Sequence, residues 1–69
     1  MKKSISIQTD RFIREAERKA ITSISRTTAW ILEQKGQFPK RRYISQSSRS
    51  VGWLLSEVIE WVESRQSVK

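Results

Sequence analysis

"GQFPKRRYISQSSRSVGW", residues 36–53, is the stretch whose reading decides the fold. It carries four basic residues and no acidic one, and helical patterns lie on either side of it. The segment is too long for a simple helix–helix turn, and Pro39 stops a helix from running through it. Two pieces read as strands: "RRYIS" at 41–45 and "SVGWLL" at 50–55. Gln46, Ser47, Ser48 and Arg49 between them make the turn, although the Asn-Gly signal of the tightest hairpins is missing. The expectation is a basic two-stranded hairpin. Gly52 beside Trp53 points to close backbone packing where the hairpin meets the core.

Upstream lies "RTTAWILEQKG", residues 26–36, preceded by Ser25. A serine hydroxyl at this point accepts a bond from a backbone N–H of the first helical turn, so a helix is expected to start there. Gly36 suits the left-handed residue that closes a helix. Ala29 and Leu32 lie inward at helical spacing, while Arg26, Trp30 and Glu33 form another stripe. Further upstream, Phe12 and Ile13 suit a short strand or a turn. Glu15 to Thr22 are mostly helix formers, with Ala16, Ala20 and Ile21 expected on the inner face. A tight turn at Thr22 to Ile24 would join the two helices.

Downstream of the hairpin, Ser56 is expected to cap a last helix, with Glu57 favoured at its positive end. Val58, Trp61, Val62 and Arg65 share a face, Arg65 burying its stem with its head at the rim. Glu57, Glu60 and Glu63 make a solvated stripe. The fold class is thus mainly α with a small β-hairpin, in the order of a winged helix-turn-helix. Residues 1–9 read as a flexible arm, 10–66 as the domain and 67–69 as a tail.

A chain of 69 residues has room for one domain with a modest core. It contains no Cys and no His, which excludes disulfides, thiolate or imidazole metal sites and imidazole acid–base chemistry. No phosphate loop or nucleophile elbow occurs. No catalytic residue, metal site or cofactor is therefore expected, and the chain does not read as an enzyme. It shows no export signal or membrane-length apolar run, so a cytoplasmic, nucleoid-associated location is expected.

Fourteen Lys or Arg against seven Asp or Glu leave a net charge of +7. Such a balance implies a polyanionic partner, nucleic acid or a lipid surface. The distribution is uneven: residues 26–52 hold six basic side chains and one acid, whereas residues 53–69 hold three acids and two bases. A membrane surface is disfavoured, because the cations do not lie opposite an apolar face on one helix.

If the front of the second helix enters a DNA major groove, Arg26, Thr27 and Thr28 reach base edges, and Ser25 bonds a phosphate. Arg26 can donate two bonds to guanine, and the threonines offer a methyl or a hydroxyl. The same residues equally suit an ordinary capped surface helix. Trp30, one turn on, stacks on the Arg26 guanidinium, touches the DNA sugar–phosphate edge or packs under the hairpin. On the wing, Lys40, Arg41, Arg42 and Arg49 would straddle a phosphate backbone, with Ser47 and Ser48 at the tip reaching toward the minor groove. Strand alternation keeps Arg41 and Arg42 from one site, so one would contact DNA while the other faces solvent. Charge on an edge strand also blunts aggregation. Trp53 and Trp61 read as core.

"DRFIR" (10–14), "SISRTTAW" (23–30), "GQFPKRR" (36–42) and "SVGWLLSEVIEWVESR" (50–65), in this order and spacing, resemble the AlpA-like prophage regulators, a family that overlaps small phage and integrative-element excisionases. The resemblance implies a winged-helix DNA-binding domain related to the MerR-type reader. It places Ser25, Arg26, Thr27 and Thr28 on a recognition helix and residues 40–49 on a wing. It further implies a transcription activator, or a directionality factor that bends attachment-site DNA for an integrase. Three features depart from the family pattern. Ser23 stands where a turn glycine is usual, Trp30 replaces a tyrosine, and the hairpin tip is longer.

The expected partners are double-stranded DNA, an integrase and further copies of the chain on adjacent DNA sites, since one small module buries a limited interface. A different class of function also fits the residues: a small adaptor or inhibitor acting through the hairpin edge or the last helix.

Overall fold

The computed structural model describes residues 10–68; the expected arm, residues 1–9, lies outside them. Strand β1 spans Phe12–Ile13, helix α1 Glu15–Thr22, helix α2 Arg26–Gln34, strand β2 Arg42–Tyr43, strand β3 Val51–Leu54 and helix α3 Leu55–Glu63. This is the mainly α fold with a small hairpin that the patterns indicated, in helix–turn–helix, hairpin, helix order. The sheet is larger than expected. β3 pairs antiparallel with β2 and also with β1, in the order β1-β3-β2. Phe12 faces Leu54 and Ile13 faces Trp53 on one edge, while Arg42 faces Gly52 and Tyr43 faces Val51 on the other. Gly52 is what lets β1 come so close: a Cβ there would stand 2.6 Å from the carbonyl oxygen of Ile13.

Glu15 and Glu17 in the first turn of α1 meet its positive end. Its inward face is only partly the expected one. Ile21 turns inward as read, but Ala16 and Ala20 are exposed and Arg18 is buried in their place. Arg18 is 0% exposed, an unusual place for a cation unless every donor finds a partner. Its Nη1 donates to the Ile24 carbonyl at 2.7 Å and to Thr22 Oγ1 at 3.2 Å, and its Nε donates to Glu15 Oε1 at 3.3 Å. A second bond runs from Nη2 to Glu15 Oε2, and the guanidinium carbon lies 5.6 Å from the Trp53 ring centroid. Counting apolar residues could not find this face, because a satisfied cation occupies it.

Helix α1 ends at Ser23, which adopts the left-handed conformation with φ of 65°. Two residues later Ser25 opens α2: its Oγ accepts the Thr28 N–H at 3.1 Å. Helix α2 closes in a Schellman arrangement. The Gln37 N–H donates to the Leu32 carbonyl at 2.8 Å, and the N–H of Gly36, at positive φ, donates to the Glu33 carbonyl at 3.0 Å.

The core is Ile13, Ala29, Phe38, Trp53 and Val58, with Ile21, Ile24, Leu32, Leu55 and Trp61 packed around it. Both inner indoles are anchored to the segment that leads into the wing. Trp53 Nε1 donates to the Pro39 carbonyl at 3.1 Å, and Trp61 Nε1 donates to that of Gln37 at 2.7 Å. Phe38 meets Trp61 edge-on, with ring centroids 4.8 Å apart. The loop 37–41 is thus held from both sides, at Trp53 by a buried indole N–H that requires such a partner.

The start of α3 corrects the sequence reading. Ser56 does not cap it: β3 runs directly into the helix, Leu54 holds the cap position without a side-chain bond, and Ser56 is already inside the first turn. Asp10 serves instead. Its Oδ1 accepts the Ser56 N–H at 3.1 Å and its Oδ2 accepts the Ser56 hydroxyl at 2.9 Å, across 46 residues of chain. These bonds, the backbone one foremost, hold the Asp10 carboxyl below its ordinary pKa. At the far end Arg65 lies over Trp61, its guanidinium carbon 4.4 Å from the ring centroid.

Candidate nucleic-acid interface

The cap of α2 sets which side chains point outward at its front. Ser25 Oγ, besides accepting from the Thr28 N–H, donates to Thr28 Oγ1 at 3.0 Å. The two hydroxyls therefore serve each other, and Arg26 and Thr27 stand between them, both exposed. Among the described residues Arg26 forms no ion pair. Trp30, one turn on, is 53% exposed. That exposure rules out the reading in which it packs into the core under the hairpin. The stripe of Arg26, Trp30 and Glu33 splits by depth, since Glu33 is buried.

The hairpin meets this surface through Arg41. Extending the β2–β3 register by one residue places Arg41 opposite Trp53, and its guanidinium carbon lies 5.3 Å from that ring. Its Nε donates to Glu33 Oε1 at 3.1 Å, and its backbone N–H donates to Glu33 Oε2 at 3.3 Å. Arg26, Thr27, Trp30 and Arg41 line one concavity. The adjoining hollow again contains Arg26 and Arg41, together with Arg14 and Val51. The front of α2 and the base of the hairpin are side by side, and three arginines converge there.

Lys40 and Arg42 go the other way. Both line the groove between the 36–40 segment and α3, with Glu57 and Trp61, and Arg42 Nη2 bonds Glu57 Oε2 at 2.7 Å. Alternation along the strand does separate Arg41 from Arg42 as expected. Neither simply faces solvent, however: each has an acidic partner from a different helix. At the tip, Ser47 and Ser48 are engaged locally. Ser47 shares a 2.9 Å hydroxyl bond with Ser45, and Ser48 Oγ accepts the Ser50 N–H at 3.2 Å. Arg49 is exposed and forms no ion pair among the described residues.

Sequence reasoning missed Arg14. It lies just before α1, outside the basic central stretch, and only the fold carries it to Arg26 and Arg41. Its exposed neighbour Ala16 lies in the same hollow, a placement the misread face of α1 concealed.

Helix, tight turn, capped helix and a hairpin folded against its front make a small, mainly α domain compatible with a winged helix-turn-helix. The chain belongs to the AlpA family of prophage regulators, because the family model described as "Prophage CP4-57 regulatory protein (AlpA)" matches residues 11–66. It is also similar to the uncharacterized protein ORF88 of Enterobacteria phage P4, with 37% identity over 59 residues that cover 86% of this chain and 65% of that protein. The chain thus spans somewhat less than two thirds of this relative's length. No solved structure matches.

Proposed function

We propose that the chain is a sequence-specific double-stranded DNA-binding regulator of a prophage or integrative element, working on the nucleoid in the cytoplasm. It acts as an excisionase that bends attachment-site DNA, as a transcriptional regulator, or as both. One observation carries the reading: Arg26 at the front of α2, which forms no ion pair among the described residues, and Arg41 at the base of the hairpin line the same concavity, with Thr27 and Trp30 beside them.

In this reading the front of α2 enters the major groove. Arg26 and Thr27 read base edges, while Ser25 and Thr28 shape the cap and bring the backbone to a phosphate. Trp30 lies along the sugar–phosphate wall. Arg49, Ser47 and Ser48 extend the contact along the duplex, and Lys40 and Arg42 add to the field from the flank. Arg41, held by Glu33, acts mainly by fixing the hairpin against the helix. Phosphate neutralisation supplies most of the affinity, so binding falls steeply with salt. Further copies on neighbouring sites, and an integrase in the excision role, complete the partners.

The test is a gel mobility shift with the host-element duplex and a random duplex at two salt concentrations. Wild-type protein binds both at low salt and prefers the element site at high salt. Arg26→Ala erases much of that preference, and Arg49→Ala weakens binding to both duplexes alike. Absence of duplex binding at low salt would overturn the proposal and favour an adaptor role.

A further inference from the structure

Tyr43 is the most exposed aromatic side chain among the described residues, at 69%. Its backbone is nevertheless well fixed. Tyr43 faces Val51 across the β2–β3 ladder, and the next residue, Ile44, donates its N–H to the Ser50 carbonyl at 2.9 Å. Directly opposed residues of an antiparallel pair project to the same side of the sheet, so Tyr43 stands on the side of Val51. Alternation puts Arg41, two residues earlier, on that side as well. Val51 and Arg41 border the hollow shared with Arg14 and Arg26. Tyr43 is therefore the next step outward along the hairpin on the face where the arginines converge.

A ring in that position is costly to leave in water, and the fold gives it no apolar cover. Its neighbours on the face are cations suited to phosphates. Between the phosphates of a duplex lie the deoxyribose rings, the apolar part of a groove wall. We infer that Tyr43 is a duplex-contacting residue of the wing, its ring packing on deoxyribose between the phosphates. Trp30, which lines the concavity with Arg26 and Arg41, makes the matching contact from the helix side. This assignment rests on the DNA-binding reading above and extends it from charge to apolar contact.

The experiment measures duplex affinity by fluorescence anisotropy across a salt series for wild type, Tyr43→Ala, Tyr43→Phe and Arg49→Ala. Tyr43→Ala is expected to weaken binding about tenfold with the slope of log K against log salt unchanged. Tyr43→Phe keeps wild-type affinity, and Arg49→Ala makes the slope shallower by about one ion. Circular dichroism reports folding, and Tyr43→Thr, a good strand former, replaces the alanine variant if that one melts. The inference is overturned if removing the ring leaves affinity unchanged, if it makes the slope shallower as Arg49→Ala does, or if Tyr43→Phe loses as much as Tyr43→Ala. If the wild-type protein itself binds no duplex, the DNA-binding reading fails first, and this one with it.

Discussion

Glu33 gives both of its carboxylate oxygens to Arg41, one to the side-chain Nε at 3.1 Å and the other to the backbone N–H at 3.3 Å. One buried acid on α2 thereby holds the base of the hairpin at two points. The guanidinium of Arg41 continues onto Trp53, whose ring also lies near the buried Arg18 of α1. Helix, hairpin and turn are linked through a chain of alternating charges around one indole.

Replacing Glu33 by Ala strips Arg41 of both acceptors in a partly buried site. Stability should fall by about 1–3 kcal/mol, the usual penalty for stranded polar groups. Glu33→Gln retains an acceptor and should lose less. Urea denaturation of the two variants, compared with wild type, measures the difference through the transition midpoint.

Arg18 is the more severe case. Arg18→Ala leaves the Ile24 carbonyl without its partner and a cavity where a fully buried side chain stood, a large-to-small core change of about 3–5 kcal/mol. That approaches the whole stability of a small domain. The variant is expected to show a largely unfolded far-ultraviolet dichroism spectrum at 25 °C. Arg18→Lys restores the charge but not the fork that reaches Glu15, Thr22 and Ile24 together, so it should fall between the two.

Ser23 sits at a φ of 65°, where a Cβ is strained and glycine is not. Ser23→Gly removes that strain and adds some freedom to the unfolded chain. The net expectation is a gain of about 0.5–1 kcal/mol, seen as a melting temperature several degrees higher. An unchanged or lower melting temperature would show that the serine is favoured at this turn for another reason.

The Asp10 carboxyl is pulled below the ordinary 3.8, chiefly by the Ser56 backbone N–H and then by the Ser56 hydroxyl. A carboxyl whose folded pKa lies under its unfolded one contributes stability that is complete above the unfolded value. That contribution is lost as pH falls through the folded value. Asp10→Asn should therefore destabilise the protein at neutral pH and flatten the part of the stability–pH curve below about pH 4. Thermal melts of both proteins between acidic and neutral pH check this; parallel curves would contradict the cap.

Much of the architecture was legible because its signals are local. Ser25 and Gly36 mark the limits of α2 through bonds that span three to five residues, and both perform as read. Pro39 and the strand-like pieces around Tyr43 and Trp53 marked the hairpin in the same way. The apolar spacing of Val58 and Trp61 marked the buried side of α3, although Val62, read on the same face, is exposed. In the candidate site, Arg26 and Thr27 could be placed at the front of a helix, but their neighbours could not be named.

What the amino-acid order determined by itself was the set of elements, their sequence along the chain and the strong positive charge, since each depends on residues within a turn or two of one another. The tertiary structure decided the rest: that Phe12 and Ile13 form a third strand, that Asp10 caps a helix 46 residues away, that Arg18 is core, and that Arg14 joins Arg26 and Arg41. These outcomes depend on groups distant in sequence satisfying one another's charges and hydrogen bonds. A buried cation or a remote cap becomes favourable only once its partners are in place, and no local pattern records that.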